Sequence, residues 1–216
     1  SGLLSTVAWQ LKGDKHLTYA LEGGAFVCGA AVQWLRDGLD FIKHSHEIER
    51  LAREVSDTGG VEFVPALTGL GAPHWNANAR GLICGLTRGT HKGHIARATL
   101  EAMALQNTDI LIAMQKDLGK KMKRLRVDGG AAANNLLMQI QADYLGVAID
   151  RPKMIETTSA GAAYLAGLGV GLWSDLSQIK KVWEIDKSFF AEIKPVERDL
   201  RRSHWNSAVR RAMLAN

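Results

Sequence analysis

Two glycine clusters, each with a carboxamide four residues on, are the residues of this chain best suited to hold a ligand. The first is Arg126-Val127-Asp128-Gly129-Gly130-Ala131-Ala132-Ala133-Asn134-Asn135, where a strand ends in Asp-Gly-Gly and small residues lead to a helix start near Asn134. Glycines without a Cβ let a ligand approach the backbone closely, and a helix start offers free N–H groups. A nucleotide suits such a turn, its base or phosphates lying against Gly129 and Gly130. The same residues also make a tight strand-to-helix connection with Asn134 as N-cap. The second cluster is Gly23-Gly24-Ala25-Phe26-Val27-Cys28-Gly29-Ala30-Ala31-Val32-Gln33. Gly29 sits in a helical pattern, where glycine costs about 1 kcal/mol relative to alanine. Gly29 and Gln33 share one helical face, a bare patch beside an amide; close helix packing explains this glycine equally well.

Other chemistry is poorly supported. Asp128 and Glu22, each at a strand end beside glycines, are the best-placed acids, and both read as turn residues. His91 and His94 are three apart but have no third ligand at metal spacing, so they read as a helix start. Ser1, Ser5 and Ser159 sit in no nucleophile-elbow pattern. There is no Walker-A sequence, no dinucleotide fingerprint and no pair of convergent carboxylates. Lys120 to Arg126 holds five basic residues in seven. A nucleic-acid or protein-binding module would use that run, but no aromatic residue interleaves it, and it follows a long helix whose C-terminus favours positive charge.

The elements that must position these residues are legible from periodicity. Residues 3–10 and 16–21 read as a hairpin turning at Leu11-Lys12-Gly13-Asp14-Lys15, and Glu22-Gly23-Gly24 ends it. Helices are expected over 25–40, 47–55, 94–118 (stopped by Gly119), 134–145, 159–169 and 197–213. Strands are expected over 61–67, 81–86, 123–127 and 147–149. The loop 68–75 is too glycine-rich to read as a core element. Strand–helix alternation in the second half argues for α/β layering, with all 216 residues in one domain.

Composition agrees with an ordinary globular chain: 216 residues, 46% apolar, 23% charged and 4 prolines exclude disorder. The net charge of +5 fits nucleotides or phosphorylated metabolites as readily as nucleic acid. The most apolar run, Ala160 to Trp173, is 14 residues with four glycines, short of the ~20 needed to span a bilayer. Two cysteines, Cys28 and Cys84, make no disulfide framework, so a reduced, cytoplasmic setting is expected.

At this point the residues resemble a family. Gly81-Leu82-Ile83-Cys84-Gly85-Leu86, a seven-residue gap, then His94-Ile95-Ala96-Arg97-Ala98-Thr99-Leu100-Glu101 is similar to the C-terminal signature of the FGGY carbohydrate kinases. Tyr19-Ala20-Leu21-Glu22-Gly23, Gln33-Trp34-Leu35-Arg36-Asp37, Gly69 to Trp75 and Gly161 to Gly167 resemble the members that phosphorylate glycerol. The resemblance implies an RNase H-like α/β fold of the actin-like ATPase and sugar-kinase superfamily, a mixed sheet flanked by helices. It implies ATP or ADP contacts at Gly29, Gln33, Gly130 and Asn134, with Mg²⁺ accompanying the ATP.

An intact member would transfer the γ-phosphate to glycerol, giving glycerol 3-phosphate and ADP. The family's Gly-Asp-Gln-Gln run, which carries the catalytic Asp, is absent from these residues, as are its phosphate-binding Thr-Gly turn and its polyol-binding domain. The expectation is therefore an inactive C-terminal fragment with no catalytic residue of its own and no membrane or nucleic-acid partner. Its sheet would lack the earliest strands and self-associate along an unpaired edge, whereas the intact enzyme would be a homo-oligomer. Asn76-Ala77 replace the acidic residue and proline usual after the loop tryptophan, which puts the geometry of that loop in question.

Overall fold

The computed structural model describes residues 2–11, 13 and 15–214. Strands β1 (Leu4–Trp9) and β2 (Thr18–Glu22) pair as the expected antiparallel hairpin. Lys12 and Asp14 of the predicted turn lie outside the described residues.

Helix α1 (Gly29–Asp37) begins four residues later than periodicity suggests. The reason is a competition for carbonyls. Gly24 O accepts from Ala72 N (3.0 Å) and Val27 O accepts from the Gln106 side chain (3.0 Å), so neither starts a helical ladder. Gly29 is thus the first helical residue rather than an interior one. Helix α2 (Glu47–Ala52) follows, then β3 (Glu62–Val64) and β4 (Leu82–Cys84), an antiparallel pair.

The glycine-rich loop between these strands is irregular, yet it is part of the interior, contrary to expectation: Leu70 is 3% exposed and Ala72 6%. Gly71 makes this possible, since a Cβ there would stand 2.2 Å from the Gly24 carbonyl oxygen. Asn76 holds the loop as an acidic residue would, its Oδ1 accepting from Asn78 N and Ala79 N at 2.9 Å each.

Helix α3 (Lys92–Leu118) is the longest element and is buried along most of its length. His91 and His94 start it by reciprocal capping. His91 Nδ1 accepts from Gly93 N, and His94 Nδ1 accepts from His91 N, both at 3.2 Å. Gly119, at φ +63°, ends it in the left-handed conformation.

Strand β5 (Arg124–Arg126) leads through a 3-10 turn (Gly130–Ala133) into α4 (Asn135–Leu145) and back to β6 (Ala148–Pro152), which is parallel to β5. Helix α5 (Thr157–Gly169) and short α6 (Leu176–Lys180) precede β7 (Ile185–Phe189), antiparallel to β6. Helix α7 (Pro195–Leu214) packs back through Trp205, Ala208, Val209 and Ala212. The sheet order is β5-β6-β7, so β5 has one described neighbour and one open edge. The main core joins α1, α2, α3, α4 and α7 around Leu35, Leu100, Met103, Leu105 and Ile149.

Candidate nucleotide site

A cavity of about 570 Å³ opens where α1, α2, α3 and the β5–α4 connection meet. Gly29, Gln33, Gly130 and Asn134, singled out from sequence in two segments a hundred residues apart, all line it. An added Cβ at Gly29, and equally at Gly130, would meet nothing within 4 Å. Close helix packing therefore does not explain Gly29: both glycines keep space open that no protein atom fills. Gln33 lies one turn after Gly29 on the same face, with an exposed side chain.

Gly130 opens the 3-10 turn, and the preceding Gly129, at φ +79°, reverses the chain after Asp128. Gly129 N donates to Ile155 O at 2.7 Å, which fixes the turn against the segment after β6. Arg151, from β6, donates to the carbonyls of Ala132 and Ala133 at 3.0 and 3.2 Å and braces the turn from behind.

The start of α4 differs from the sequence-based picture, in which it offers free N–H groups. Asn134 Oδ1 accepts from Leu137 N at 2.8 Å. The Glu49 carboxylate, from α2, accepts from Asn135 N (3.2 Å) and Leu136 N (3.3 Å). The protein's own groups have satisfied the first donors of this helix, as a buried helix end requires. The N-cap role of Asn134 and its place on the cavity wall are thus both real, and its amide nitrogen makes no hydrogen bond among the described residues. The α1 start is different: Cys28 gives no side-chain cap, and the first turn holds no acidic residue. Burial raises the Cys28 thiol pKa, against smaller opposing effects from Asn107 and the Gly29 backbone.

Ile48, Leu100, Met103 and Leu137 form the apolar part of the wall. Sequence reasoning missed Ser45 and His46, which precede α2, and Glu49 on α2, all of which line the cavity. The acids it favoured, Asp128 and Glu22, do not line it. Nor is the basic run a free patch in its strand portion. Arg124 pairs with Asp150 at 2.5 Å, and the Arg126 guanidinium stacks 4.0 Å over the Trp183 ring. Among the described residues, no three His, Cys, Asp or Glu side chains gather as a metal site. No described helix is long and apolar enough to cross a membrane.

An α/β scaffold with a glycine-opened cavity at a strand–turn–helix junction defines the class, and the comparisons define the family. The chain belongs to the FGGY family of carbohydrate kinases, whose C-terminal domain matches residues 3–170. It is 64% identical over 209 residues to the glycerol kinase of Bdellovibrio bacteriovorus, covering 97% of this chain and 42% of that protein. It is 57% identical over 211 residues to a glycerol kinase of Saccharolobus islandicus, covering 98% and 42% respectively. Among solved structures it resembles Plasmodium falciparum glycerol kinase with ADP, with a TM-score of 0.88 and 37% identity over 98% of this chain and 42% of that one. Xylulose kinase from Lactobacillus acidophilus follows at TM-score 0.78 and 26% identity, over 100% of this chain and 43% of its own. The fold is thus the RNase H-like one of the sugar-kinase and actin-like ATPase superfamily, as expected. The chain spans 42% of the length of these curated relatives.

Proposed function

We propose that this chain is the nucleotide-binding domain of an ATP-dependent glycerol kinase, all 216 residues forming one domain. The carrying observation is that the four residues to which the family resemblance assigns nucleotide contact line a single cavity, with open space beside the two glycines among them. A nucleotide there lies with its phosphates toward the uncapped α1 start at Gly29, whose N–H groups and dipole favour anions. Its adenosine lies toward Gly130, Asn134 and the apolar wall.

Mg²⁺ enters with the ATP phosphates as part of the substrate. The whole enzyme moves the γ-phosphoryl group from ATP to a hydroxyl of glycerol, and an aspartate outside this sequence takes the hydroxyl proton. This chain supplies positioning for that reaction and no catalytic side chain. Family membership and the free thiols Cys28 and Cys84 support a cytoplasmic setting; the whole enzyme is proposed to act as a homo-oligomer.

Calorimetric titration with Mg·ADP tests the reading. Wild type is expected to bind, and Gly130→Val, whose Cβ would meet no protein atom within 4 Å, is expected to bind at least about tenfold more weakly. Equal binding by the two proteins overturns the assignment of this cavity.

A further inference from the structure

The donors of the α4 start are occupied by a carboxylate from α2, and this changes what the cavity accepts beside them. Glu49 is 24% exposed at its side chain and lines the cavity beside Ile48 and Leu137. Its Oε1 accepts from Arg53 Nη2 (2.7 Å), Arg53 Nε (3.0 Å) and Leu136 N (3.3 Å). Its Oε2 accepts from Asn135 N alone among the described residues, at 3.2 Å. A carboxylate oxygen has room for two donors, so Oε2 keeps acceptor capacity in a residue that lines the cavity. Phosphate is unwelcome there, because like charge would face it and the helix N–H groups are taken. A neutral, flat group bearing an N–H donor is what this part of the wall suits: apolar surface from Ile48, Leu100, Met103 and Leu137, and one charged acceptor beside it.

We infer that Glu49 is the specificity-determining residue for the base, its Oε2 accepting a hydrogen bond from the exocyclic amine of adenine. The inference rests on the nucleotide reading above and deepens it. A purine with a carbonyl in place of that amine sets an acceptor against the carboxylate, and neither group is satisfied. The preference for a 6-amino over a 6-oxo purine is then written into α2, a helix of six residues that carries no glycine motif.

The test is calorimetric titration of the full chain with ADP and with IDP, which differ at the six-position of the purine. Wild type is expected to favour ADP by at least about tenfold, and Glu49→Gln to bring the two within about threefold, since a carboxamide can present its N–H to the carbonyl. Arg53→Ala removes the same ion pair but leaves the carboxylate, and is expected to keep the wild-type preference. If Glu49→Gln melts below the assay temperature, Glu49→Asp, whose shorter reach withdraws the acceptor, is expected to lose the preference instead. Equal affinity of wild type for ADP and IDP overturns the inference while leaving the nucleotide reading intact. So does a preference that survives in the Glu49 variant, or one lost equally in Arg53→Ala. Binding of neither nucleotide by wild type overturns both.

Discussion

Arg201, on the last helix, donates through Nε to Glu101 of α3 at 2.6 Å, across 100 residues of sequence. Its other arm reaches Glu62 of β3, and the Tyr144 hydroxyl donates to the same Glu101 oxygen at 2.5 Å. Glu101 is 3% exposed and follows Leu100, which lines the cavity. Burial works against the Arg201 charge, but the two carboxylates outweigh it and hold the pKa above the ordinary guanidinium value. Burial, reinforced by the Glu101 charge, likewise keeps the Tyr144 hydroxyl protonated well above its usual range. Arg201→Met leaves the Glu62 carboxylate without its cation, whereas Glu101 keeps Arg97 at 2.8 Å, and is expected to cost about 3–5 kcal/mol in urea unfolding. A loss below about 1 kcal/mol would show that the network is not what docks α7.

Asn134 has two roles that separate by substitution. Asn134→Ala removes the cap on Leu137 N and is expected to cost about 1 kcal/mol of stability as well as nucleotide affinity. Asn134→Asp keeps an N-cap oxygen, so thermal stability is expected to stay near wild type while ADP affinity falls through the added charge and the lost amide. Unchanged affinity in both variants would confine Asn134 to capping.

The sequence carried the alternation, the hairpin and both glycine turns, because these rest on local signals: periodicity, turn residues and caps. Local pattern did not show that the two glycine segments converge, which only the family resemblance implied, since Gly29 and Gly130 meet through the packing of α1, α2 and α4 on α3. Glu49 was missed for the same reason, its partners Asn135 and Leu136 lying 86 and 87 residues away. The loop at Leu70 was misjudged because the burial of its apolar residues depends on a neighbour's backbone, not on its own glycine content. β7 escaped notice because its pattern is polar, Lys187 and Ser188 being fixed by pairing with β6 and Asp186 by its ion pair with Arg151.

Acid should weaken the β5–β6–β7 sheet. Arg124, with Ser188 helping against the opposing effect of burial, holds the Asp150 carboxyl below its ordinary value of 3.8. A depressed folded pKa means that the contribution is complete above that value and is lost as pH falls through the folded one. Thermal melts below about pH 4 are expected to drop more steeply for wild type than for Asp150→Asn, which is less stable at neutral pH but lacks this titration. Parallel acid limbs would contradict the assignment.

Strand β5 leaves an open parallel edge, and Val170 and Leu172 nearby in sequence to α5 are 84% and 70% exposed. Such edges template pairing with further strands. Sedimentation of the 216-residue chain is expected to show concentration-dependent association; a strictly monomeric chain at high concentration would contradict this.

Amide-resolved NMR of the chain titrated with Mg·ADP tests the central claim most directly. The largest shifts are predicted at Gly29, Gln33, Gly130 and Asn134, together with the neighbouring backbone of α2. Shifts centred instead on the smaller cavity beside Asp57, Arg97 and His204, or none at saturating nucleotide, would contradict it.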